Sequence, residues 1–211
     1  MHSFLKILSK IISIILYPML MPLYGMVLFY ITAWHCMPLL PVAYLNACII
    51  GTAILTLIIP IILLIFLWKK GYIASLYIDD ARQRTIPYMY TLVCYGFWAY
   101  FLRITMRMPM FMIWIVIGVM VALLVVTLIN YKWKISAHLT GIGGLLGGIC
   151  SFAINYSICP IKIIILVVLL SLLLMYARLF LNAHTPLQVV CGFLLGLICT
   201  FIPNYLITTY A

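Results

Sequence analysis

The chain predicts an all-α integral membrane protein, a bundle of about seven (six to seven) transmembrane helices. Three observations carry that expectation. Of 211 residues, 68% are hydrophobic and 7% charged, whereas soluble domains are roughly half apolar and about a quarter charged. Mean hydropathy is +1.32. The apolar residues form runs of roughly 20, the length of helix that crosses a hydrocarbon layer about 30 Å thick, with short polar breaks between them.

Run length and the Lys, Arg, Pro and Asn punctuation place spans at about 9–33, 43–68, 88–105, 110–130, 137–156, 161–180 and 186–207. Residues 1–211 read as one transmembrane domain. The basic start MHSFLKILSK resembles a signal peptide, but the apolar stretch behind it outruns an h-region and lacks a small-residue cleavage site, so it is read as a retained first helix. Arg103, Arg107 and Pro109, with alternating Met106, Met108, Met110 and Met112, read as a lipid-interface turn. Gly141, Gly143, Gly144, Gly147 and Gly148, then Gly192 and Gly196, carry four-residue spacings that let transmembrane backbones approach. Seven cysteines without CxxC pairing read as small apolar packing residues, and no metal or redox centre is expected.

The net charge is +10, with Asp79 and Asp80 the acids. Such a balance suits anionic headgroups or a phosphate-bearing ligand. Because the cations lie in short breaks and form no soluble basic face, nucleic acid is not an expected partner. With seven spans, the N-terminus and the breaks 69–87, 131–136 and 180–186 share one membrane face. That face carries Lys6, Lys10, Lys69, Lys70, Arg82, Arg84, Lys132, Lys134 and Arg178, and the other carries Arg103, Arg107 and Lys162. Positive-inside counting makes the first face cytoplasmic.

Ionisable groups at a bilayer are costly, which makes the survivors candidates for function. Three groups fall on the first face: Asp79 to Pro87 with Arg82 and Arg84, Lys134 to His138 with Ser136, and Arg178 to Gln188 with His184. Arginines offer bidentate donors to phosphate oxygens, and Ser136 with free N–H groups at a helix N-terminus adds more. A neutral imidazole can attack phosphorus and a protonated one can supply the leaving group's proton, through a covalent phosphohistidine and without a metal or other cofactor.

These segments resemble the three signature motifs of the type 2 phosphatidic acid phosphatase superfamily, membrane enzymes that remove phosphate from lipid phosphates and pyrophosphates. The family pattern is Lys, six residues and Arg-Pro, then Pro-Ser-Gly-His, then Ser-Arg, five residues, His, three residues and Asp. Here the third motif reads Ala177-Arg178, five residues, His184, three residues and Gln188, and the second reads Ile135-Ser136-Ala137-His138. In the first, Arg84 matches, but Tyr77 replaces the Lys and Thr85 the Pro. The YPMLMPLYG stretch is also similar to that of small bacterial members. The motif-bearing core covers about 77–207.

The resemblance implies a phosphatidic acid phosphatase type 2-like core in a bacterial inner membrane, acting on a lipid phosphate among membrane lipids. It implies His184 as nucleophile, His138 as general acid, and Arg178, Arg84 and Ser136 as the phosphate clamp, with Lys134 or Arg82 replacing the missing Lys. Gln188 stands where the family Asp orients the nucleophile. A neutral amide can hold an imidazole's tautomer but cannot stabilise its cation. The alternative expectation is therefore a weakly active or inactive relative that binds or transfers a lipid phosphate headgroup.

Overall fold

The computed structural model describes residues 2–36, 41–73 and 84–210, and among these all regular structure is helical. The order is α1 (His2–Ile15), a 3₁₀ turn (Pro18–Leu20), α2 (Met21–Cys36), α3 (Val42–Ala53), a π turn (Ile54–Ile58) and α4 (Ile59–Lys69). Then follow α5 (Thr85–Tyr100), a second π turn (Phe101–Thr105), α6 (Met110–Ile129), α7 (Ala137–Asn155), α8 (Ile161–Phe180) and α9 (Pro186–Tyr210). Among the described residues, six helical stretches are long and apolar enough to cross a membrane: Ser3–Thr32, Val42–Lys69, Met110–Ile129, Ala137–Asn155, Ile161–Phe180 and Pro186–Leu206. The chain is a multi-pass membrane protein. Its outward faces are apolar, with Phe97, Leu128 and Leu169 each more than half exposed, as lipid contact demands and water would penalise.

Two expected spans take a different form. The first, 9–33, is not one straight helix. Pro18 has no N–H to continue the ladder, so the chain leaves α1 at Leu16, turns through Tyr17 with ψ 141, and restarts as α2. The third, 88–105, is helical as α5 and its π turn, but Tyr88, Tyr90, Tyr95, Tyr100 and Arg103 keep it less apolar than the other six. The methionine stretch does form a turn. It is anchored inward and not only at the lipid interface, because Met108 is 1% exposed and the Met106 carbonyl accepts from the Tyr44 hydroxyl at 2.8 Å.

Helix ends follow local chemistry. Gly71 (φ 77) and Asn182 (φ 52) sit in the left-handed region just past α4 and α8. There the next residue's N–H reaches back a full turn, Tyr72 to the Leu67 carbonyl and Ala183 to the Arg178 carbonyl, the pattern that closes helix C-termini.

The bundle is built around α7, the most enclosed of the six, with 61% of its span buried. It packs most closely on α9. The two run parallel: Ser136 lies against Gly192, Thr140 against Gly196, and Gly147 against Leu197 and Thr200. A Cβ on Gly196 would collide with the Thr140 carbonyl, and one on Gly192 would come within 2.6 Å of the Ser136 carbonyl. Thr200 Oγ1 donates to the Gly144 and Gly196 carbonyls, each at 3.0 Å, and Ser151 Oγ to the Thr200 carbonyl at 3.2 Å, which ties the two helices together by hydrogen bonds as well as by close approach. Gly196→Val should lower stability by about 1–3 kcal/mol or more through overpacking, read as a lower thermal unfolding midpoint in detergent. Gly96→Ala, whose nearest neighbour would be Met120 at 3.8 Å, should leave the midpoint unchanged.

Candidate functional site

Parallel packing puts the N-termini of α7 and α9 side by side, and their exposed N–H groups and dipoles make that end of the bundle electropositive. The two are tied directly, since the Ser136 N–H donates to the Gln188 carbonyl at 3.3 Å. Arg84 at the start of α5 and Arg178 in the last turn of α8 come to the same end. A cavity of about 590 Å³ reaches this end, lined by Arg84, Lys134, His138 and Arg178 and, from α1, Lys6, Lys10 and Ser13. Asp79, Asp80 and the expected phosphate ligand Arg82 lie outside the described residues.

His184 precedes α9 and is 8% exposed. Its Nδ1 lies 3.1 Å from the Lys134 carbonyl and 3.3 Å from Gln188 Oε1, both acceptors, so Nδ1 carries the proton and Nε2 the lone pair. Burial is the main force holding this imidazole below its ordinary value, at about 4. The positive fields of Arg178 and Arg84 push the same way, while the Lys134 carbonyl and Gln188 oppose them. His184 is therefore neutral near pH 7. It does not line the cavity wall; its neighbour Ala183 does.

Gln188 has a second task. Thr185 N–H donates to Gln188 Oε1 at 3.0 Å, and Gln188 N–H donates to Thr185 Oγ1 at 3.4 Å. That reciprocal pair, with Pro186 at the first helical position, is a capping box. One amide oxygen thus starts α9 and holds the His184 tautomer.

His138, in the first turn of α7, points Nε2 at the Ser13 carbonyl, 3.2 Å away. That carbonyl belongs to the last turn of α1, where the break at Pro18 leaves acceptors without helical partners. Nε2 therefore carries a proton and Nδ1 is the other titrating position. The Tyr17 ring meets His138 edge to face at 5.5 Å, and Arg178 Nη1 donates to Ser13 Oγ at 3.4 Å. Ser136 is fully buried, with its Oγ unbonded among the described residues. It caps α7 by position and not by its side chain, and it is enclosed under Gly192.

The structure thus brings Arg84, Lys134, His138 and Arg178 into one cavity, places His184 and Gln188 directly beside it, and sets Ser136 behind α9. Four contributors were not singled out from sequence as site residues: Lys6, Lys10, Ser13 and Tyr88, the last one helical turn beyond Arg84. A signal for three of them existed. Lys6 with Lys10, and Ser9 with Ser13, are four residues apart and so share helix faces within an otherwise apolar run.

The lowered value leaves His184 neutral at any pH above about 4. Long-range proton–nitrogen spectra of imidazole-labelled protein, assigned with His184→Ala, should show the Nδ1–H tautomer at pH 5.5 and protonation only near pH 4. A midpoint near 6.5 would mean that burial and the arginines do not act on it. No family model, curated protein or solved structure matches this chain.

Proposed function

We propose that the chain is a membrane lipid phosphate or pyrophosphate phosphatase that works through a phosphohistidine on His184 without a metal, on the pattern of the type 2 phosphatidic acid phosphatases. One observation carries the reading: a buried, neutral imidazole with its Nδ1 proton held by two acceptors stands in the field of Arg178 and Arg84, directly behind Ala183 of a cationic cavity's wall. Arg84, Arg178 and Lys134 would hold the phosphate oxygens and absorb their charge in the transition state. The Nε2 lone pair of His184 would form a P–N bond as the P–O bond to the lipid breaks. His138, which would take up a proton at Nδ1 once the phosphate's negative charge is bound beside it, would give that proton to the departing oxygen and then take one from the water that cleaves the P–N bond, releasing inorganic phosphate.

The expected result is phosphate release from phosphatidic acid, phosphatidylglycerophosphate or a polyprenyl pyrophosphate by detergent-purified protein, abolished in His184→Ala. Gln188→Glu keeps the capping box while adding a charge beside Nδ1. It should raise turnover by about 10- to 100-fold, in proportion to what a carboxylate partner contributes to such an imidazole, and should lift the His184 midpoint. No release from any of the three, in wild type and Gln188→Glu alike, would remove the hydrolase reading.

A second reading, headgroup binding or transfer without hydrolysis, is favoured by His184 lying behind the cavity wall. It predicts lipid phosphate binding that Arg178→Ala abolishes and His184→Ala leaves intact.

A further inference from the structure

The cavity does not stop at its charged end. Its walls continue into the bundle along α2, α5, α6 and α7, each helix contributing one stripe at three- and four-residue spacing. On α7 the stripe is His138, Gly141, Gly144, Gly148 and Phe152, and on α5 it is Arg84, Tyr88, Thr91, Tyr95 and Trp98. α6 runs the other way, from Val126 through Val119 to Met112. Each stripe covers about 14 positions, roughly 21 Å of helix at ~1.5 Å per residue. Three helices therefore agree on the depth of one tube. Towards its far end the lining includes two rings, Phe29 and Phe152, which meet edge to face at 5.4 Å, and Phe152 in turn lies 4.8 Å from Tyr156.

Protein interiors keep few voids larger than a water molecule. An apolar tube within a 590 Å³ cavity whose cations, among the described residues, all sit at one end calls for an occupant with an anionic head and one apolar tail. The size falls in the range that encloses one ligand of modest size.

We infer that the tube holds the single hydrocarbon chain of a lipid phosphate, phosphate among Arg84, Lys134 and Arg178 and chain end against Phe29 and Phe152. The site then selects single-chain lipid phosphates and measures chain length against that aromatic floor. This deepens the proposed function and rests on it for the fate of the phosphate, but chain binding needs no hydrolysis.

Trp98 lines the inner tube and serves as the reporter. The full chain in phosphatidylcholine nanodiscs is titrated with dodecyl phosphate brominated at its terminal carbon. Bromine should quench an emission component that is missing in Trp98→Phe, and quenching should be the same in His184→Ala. Val119→Phe, which adds bulk halfway down the wall, should weaken binding about ten-fold or more. Phe152→Ala should shift the best unlabelled alkyl phosphate competitor to longer chains, and phosphatidic acid should compete at least ten-fold more weakly than dodecyl phosphate. Quenching in a protein that releases no phosphate would keep the tube and remove the hydrolase. Equal quenching in wild type and Trp98→Phe, undiminished binding in Val119→Phe, or equal competition by phosphatidic acid would overturn the single-chain tube whatever the phosphate assay gives.

Discussion

Everything at the charged end depends on how closely α7 and α9 approach. Backbone meets backbone where Gly192 faces the Ser136 carbonyl and Gly196 faces Thr140. In lipid this contact has no hydrophobic drive behind it, so dispersion and the Thr200 and Ser151 hydrogen bonds must supply the attraction. Because the helices are parallel, the same contact lays two N-termini together and brings His138 and His184 to one end. A Cβ on Gly192 or Gly196 does not fit unless the two helices separate at this point.

The second dependency is electrostatic. Arg84, Lys134, Arg178, Lys6 and Lys10 share one cavity, and the acids of the chain lie outside the described residues. Such a cluster favours a bound anion, and it also disfavours any proton on His184. Gln188 acts against that field only as a neutral acceptor: its oxygen orients the imidazole and closes the capping box, and it raises the proton affinity without the full charge an acid would bring. What it gives up is the stabilisation of an imidazolium that a carboxylate in its place would supply.

α1 shows how a local break becomes part of a site. Its apolar face, with Phe4, Ile7 and Ile11, is exposed, while Ser9 and Ser13 are buried where the helix packs against α8. The carbonyl of Ser13, left over at the broken end, is what His138 addresses. A straight first span would have used that carbonyl internally.

The membrane class, the places of six apolar spans and the glycine seam were legible in the sequence, because bilayer thickness and backbone approach impose run length and small-residue spacing that survive in one dimension. So were the types of residue gathered at the charged end, since a bilayer makes every retained Arg and His conspicuous. The bend at Tyr17 and Pro18 was encoded but hidden inside a continuous apolar run. The recruitment of Lys6, Lys10 and Ser13, the double use of the Gln188 oxygen, the position of His184 behind Ala183 and the tube between four helices were decided only by tertiary structure. Each depends on which faces of distant helices meet, and a pattern of apolar residues that looks the same towards lipid and towards a neighbour cannot specify that.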